Sequence, residues 1–177
     1  MRWEELLLRE LDDLELQAEG LYLADRAAAV SELSLSTYAE VELSARLHAS
    51  VGSPLQLFLR GGGTVDGTLA RAGQGWVLLQ AAAGEVVVVV AAILRVRGAV
   101  ERAVPAEARC LTSRLGLGSA LRQLAESREQ VAVTLVDGAV VRGRIRRVGL
   151  DFAEVVTDAG AAELLPFDAL AVLRRAV

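Results

Sequence analysis

The residues best suited to chemistry are three arginines. Arg142, Arg144 and Arg146 alternate along one stretch, and alternate side chains of a strand project from the same face. Planar, permanently charged guanidinia in such a row can track a phosphate backbone. Two other readings stand beside this one: a solvated surface, or a seat for the acidic N-terminal segment. Trp76 and Phe152 each follow a glycine-containing turn, where they are candidates for stacking on bases or for packing in the core.

The remaining reactive side chains are isolated. Asp151 has no second acid at a helpful local spacing, so a turn residue bonding nearby backbone explains it better than a catalytic or metal-binding carboxylate. His48 is the only histidine and Cys110 the only cysteine. That argues against a Cys/His metal centre, a Ser-His-Asp arrangement and an internal disulfide. Gly61-Gly62-Gly63 lacks the Lys-Ser/Thr pair and following helix of a phosphate loop, and reads as a hairpin turn. No enzyme activity, cofactor or metal is expected.

Composition agrees with a folded binding protein. Of 177 residues, 53% are apolar and 24% charged, with a net charge of −4 and no lysine among the 19 cations. That net charge exerts no general pull on nucleic acid. Its distribution is uneven: residues 1–50 hold eleven acids against four arginines, while residues 51–177 hold fifteen arginines against twelve acids. The start of the chain does not read as a signal peptide, and its longest apolar run is far short of the ~20 residues a membrane helix needs. A cytoplasmic protein making no membrane contact is the expectation.

The elements that would position these residues repeat. Residues 55–97, shifted by 76 positions, fall on 131–173 without a gap. Leu59, Gly62, Gly67, Gly73 and Gly84 then meet Leu135, Gly138, Gly143, Gly149 and Gly160. Retained turn spacing is the mark of a duplicated fold. Period-two patterning predicts five strands in each copy, ending at Arg97 and Leu173. The Val86–Val90 run reads as buried on both faces. A helix is expected at about Leu117–Arg128. Residues 1–50 carry helical stripes, one of them through Trp3, Leu7, Leu11 and Leu14. The predicted organisation is an acidic helical arm (1–50), a first β unit (51–98), a linker and helix (99–128) and a second β unit (129–177).

A helix followed by five strands with a bent second strand resembles the Sm-like barrel. The first Sm motif is matched in the second copy by Val133, Leu135, Gly138, Gly143, Ile145, Val148 and Phe152, and in the first by Leu57, Leu59, Gly62, Gly67, Leu69, Ala72 and Trp76. The chain is also similar to a group of actinobacterial proteins that begin on a Trp-Glu-Glu helix and carry Val-Gly-x-Asp-Phe, a resemblance that implies no activity. The Sm resemblance implies an α+β, mainly β fold of two tandem five-stranded small barrels, each preceded by a helix, with an N-terminal helical arm. It also implies RNA association, and a homo-oligomer or an intramolecular pseudo-dimer. The usual nucleotide-contact positions, however, are Gly149, Asp151 and Ala153 in one copy and Gly73, Gly75 and Val77 in the other. RNA contact is therefore expected at Arg142, Arg144 and Arg146. The alternative is a protein–protein adaptor or oligomeric scaffold, using Trp3, Leu7, Leu11 and Leu14 of the arm together with the barrel edges.

Overall fold

The computed structural model describes residues 38–176. The arm stripe through Trp3, Leu7, Leu11 and Leu14 lies outside the described residues. Two helices and ten strands follow: α1 (Leu43–Ala49), β1 (Pro54–Leu59), β2 (Thr64–Gly73), β3 (Trp76–Ala81), β4 (Gly84–Val89) and β5 (Ile93–Arg97). After the linker come α2 (Leu117–Ser127), β6 (Val131–Leu135), β7 (Val140–Val148), β8 (Phe152–Thr157), β9 (Ala162–Pro166) and β10 (Leu170–Arg175).

The strands do not form two closed barrels. They make one antiparallel ten-stranded open sheet in the order β5-β1-β2-β3-β4-β10-β6-β7-β8-β9. This overturns the tandem-barrel expectation, and the reason is physical. To close a barrel, the outer edge of β4 would have to pair within its own repeat. That edge is instead taken by β10, with Val172 opposite Val88, Leu173 opposite Val87 and Arg174 opposite Val86. Apart from Arg174, the paired residues of this seam are apolar, and Val87, Val88 and Leu173 are at most 1% exposed.

The two repeats therefore join edge to edge and share a wall. Alternation along β3, β4 and β10 sends side chains into a core on each face of the sheet. Trp76, Leu78, Val87, Val89, Leu170 and Leu173 enter one core, which α2 covers with Leu117, Ala120, Leu121 and Leu124. That spacing is an amphipathic helical stripe. Val77, Leu79, Val86, Val88 and Val172 enter the other core, with Leu47 of α1 and Leu55, Leu57 and Leu59 of β1.

Local chemistry shapes each repeat in the same way. β2 is irregular between Leu69 and Arg71, and β7 between Ile145 and Arg147. These bulges sharpen the bend of the second strand in each copy. The hairpin turns of the two copies also touch: a Cβ on Gly61 would lie 2.7 Å from the Gly138 nitrogen. Arg46 ties the linker to α1 by donating to the carbonyls of Val100 at 2.7 and 2.9 Å and of Ala99 at 3.3 Å.

Candidate functional site

β7 carries the arginine row, and its bulge divides that row. Arg142, Arg144, Arg146 and Arg147 are all exposed. Arg142 pairs with Ala132 of β6, and Arg144 with Val156 of β8. The guanidinia of these two residues project from one face, on Cα atoms about 7 Å apart by strand geometry. They make no hydrogen bond or ion pair among the described residues.

Arg146 is differently placed. It falls within the bulge, which also brings Arg147 opposite Glu154. Arg147 holds the Glu154 carboxylate at 2.8 Å through both Nε and Nη2, and Arg146 pairs with the second carboxylate oxygen. The Arg147 hydrogen bond is the leading cause that holds the Glu154 carboxyl below its usual range, and burial works against it. Glu154 is 6% exposed, and the two guanidinia over it remain open to water, which screens the pair. Arg146 is thus committed to a carboxylate, whereas Arg142 and Arg144 are not.

Strict alternation places Arg147 on the opposite face; the bulge reverses this. The matching irregularity in β2 belongs to the repeat, but a β-bulge leaves no distinct mark in one sequence. Arg174 was also beyond sequence reasoning, because its position depends on which strands pair. It stands opposite Ala132, which in turn stands opposite Arg142. Directly paired residues share a face, so Arg174 and Arg142 flank the small Ala132 side chain about 10 Å apart. Arg174 is exposed, and its guanidinium has no partner among the described residues. Arg142, Arg144 and Arg174 therefore form an open basic triangle. The first repeat has Asp66 and Thr68 where the second has Arg142 and Arg144, so the triangle belongs to one repeat only.

The other candidates have structural roles. Trp76 is 1% exposed and its indole donates to the Leu115 carbonyl at 2.8 Å, which excludes stacking on a ligand. Phe152 is half-buried against Gly149. Asp151 is an exposed turn residue whose backbone carbonyl accepts the Phe167 N–H at 2.8 Å. Gly61, with φ of 78°, belongs to the turn between β1 and β2. Cys110 is exposed. Among the described residues no three His, Cys, Asp or Glu side chains converge on a common point, and no helix is long and apolar enough to cross a membrane. A cleft of about 330 Å³ lies beside β5, lined in part by Leu43, Arg46, Leu94 and Val96.

His48 is buried enough in α1 to titrate abnormally. Desolvation first, then the Arg109 charge, lower its pKa from 6.5 to about 4. Above pH 6.5 neither folded nor unfolded protein protonates it. Between 6.5 and about 4 the unfolded chain takes the proton and the folded chain does not, so stability falls as pH falls through that window. His48→Gln is expected to remove this part of the pH dependence. Urea unfolding of both proteins on either side of pH 6.5 checks it, and parallel curves would refute the assignment.

Compared with known proteins, the chain matches no family model and no curated sequence.

Proposed function

We propose that this is a non-catalytic binding protein whose second repeat holds single-stranded RNA on the face of β10, β6 and β7. The observation that carries this reading is the triangle of Arg142, Arg144 and Arg174, exposed and without protein partners among the described residues. Three solvated guanidinia gathered on one face, with no acid paired to them among the described residues, suit a polyanion. Ala132 between Arg174 and Arg142 leaves the backbone of a ligand room to approach. A cytoplasmic location goes with this reading, because RNA is the partner.

The reading differs in detail from a simple three-arginine row. Arg146 contributes less because Glu154 occupies it, and Arg174 takes its place. Binding of an unstructured RNA oligonucleotide should therefore weaken with salt at a logarithmic slope of about −2, as three phosphate contacts on a single strand predict. Arg142→Glu, Arg144→Glu and Arg174→Glu together should abolish it. Arg146→Ala alone should change affinity by less than about twofold, and Glu154→Gln should tighten binding by freeing two guanidinia. Fluorescence anisotropy over a salt series measures all four. No binding at low salt, or binding indifferent to the triple change, would sink the proposal.

A further inference from the structure

We infer that residues 1–20 of the chain dock in the cleft beside β5, with the stripe of Trp3, Leu7, Leu11 and Leu14 on its apolar floor and their neighbouring acids against Arg95 and Arg97. The point where the described chain begins selects this occupant. Tyr38 is its first residue, and the Tyr38 hydroxyl accepts a hydrogen bond from Arg46 at 2.7 Å. Arg46 itself lines the cleft, so the residues before Tyr38 leave the fold at its rim. Residues 21–37 span up to about 60 Å when extended. β5 is five residues long, so that tether brings residues 1–20 back over the whole strand.

The chemistry of the two surfaces is complementary. Leu43 and Leu94 line the cleft, and they are 44% and 65% exposed. Apolar residues recurring at spacings of three and four put one stripe into such a groove. Arg95 and Arg97 stand over the Phe58 ring, 3.8 and 5.1 Å from its centre, which holds both guanidinia on one side of the strand. Arg97 also donates to the Gln56 side-chain oxygen at 3.3 Å. Among the described residues neither arginine is paired with an acid. Residues 1–20 supply seven acids against two arginines. β5 is also an outermost strand of the sheet, an edge that natural proteins commonly cover with another segment. The basic triangle of the second repeat is the competing cationic seat, but the β5 cleft adds exposed leucines to its cations and adjoins the point where the segment departs.

The inference does not depend on RNA binding. The test uses the full chain with the exposed Cys110 changed to Ser and one nitroxide attached. Ala91→Cys places it at the end of β5 far from Tyr38, and Ala159→Cys places it near Arg142, whose carbonyl accepts the Asp158 N–H; both alanines are exposed. The nitroxide at position 91 should broaden the NMR signals of Trp3, Leu7, Leu11 and Leu14, and the one at 159 should not. Arg95→Glu with Arg97→Glu should restore the lost intensity. So should salt at about 1 M, where the Debye length falls to about 3 Å. Unbroadened signals with the label at 91 overturn the inference, as does broadening from 159 instead, which places the segment on the basic triangle. Broadening that ignores both the charge reversals and salt overturns it too. So does broadening of isotope-labelled chains by nitroxide on other copies in a mixture, which assigns the cleft to a second molecule.

Discussion

Val87→Glu is expected to unfold the whole described sheet rather than one repeat. Val87 is 0% exposed, stands opposite Leu173 of the other repeat, and reaches into the core beneath α2. An unpaired carboxylate there costs several kcal/mol, against a total stability of about 5–15 kcal/mol for a domain of this kind. The loss spreads because β4 is common to both cores: Val87 faces one, and its neighbour Val88 faces the other. The repeat supplies an internal control. Position 87 corresponds to Glu163, where an acid is tolerated because β9 is an outer strand. Urea titrations followed by circular dichroism and tryptophan fluorescence should lose their cooperative transition together. A surviving transition of about half amplitude would show that the repeats fold separately.

The second large effect is expected at Gly143. A Cβ there would run into the Val156 carbonyl oxygen and lie 2.8 Å from the Thr157 Cα, both backbone atoms that cannot swing aside. Overpacking typically costs 1–3 kcal/mol, and a backbone obstacle puts Gly143→Ala at about 3 kcal/mol. Gly67 is its repeat mate and meets the Gln80 carbonyl oxygen in the same manner at 2.5 Å. The two substitutions differ in function. Gly143 lies between Arg142 and Arg144, so forcing β7 from β8 displaces the basic triangle, whereas Gly67→Ala leaves it in place. Comparable losses in denaturant midpoint, with RNA affinity reduced only by Gly143→Ala, are the expected result. Equal affinities for the two variants would argue against the β7 face as the binding surface.

Much of the fold was legible residue by residue. Alternation and the Gly-bearing turns marked the strands, and the helix expected at about Leu117–Arg128 is α2. The four valines of β4 signalled a strand covered on both faces, which it is. What covered it was not legible, since any of several apolar strands satisfies the same pattern. Pairing partner is a property of two distant segments, and the repeat made within-copy and between-copy pairings look alike. The closed-barrel expectation came from the Sm-like resemblance, and this ambiguity left nothing in the pattern to correct it. The site was half legible for a similar reason. Arg142 and Arg144 needed only a strand, but Arg146 and Arg147 turned on a bulge, and Arg174 on the order of strands in the sheet.

The seam also sets a clock on synthesis. Val88 pairs with Val172, 84 residues later in the chain. At about 5–20 residues per second, a ribosome needs roughly 4–17 s to supply that partner. For that interval the nascent protein carries a four-valine strand whose outer edge has nothing to pair with, in the kind of sequence most prone to cross-β association. The first repeat therefore cannot finish folding as it emerges. It must wait for the last strand of the second, and during that wait a holding chaperone, or a neighbouring nascent chain, competes for the same edge.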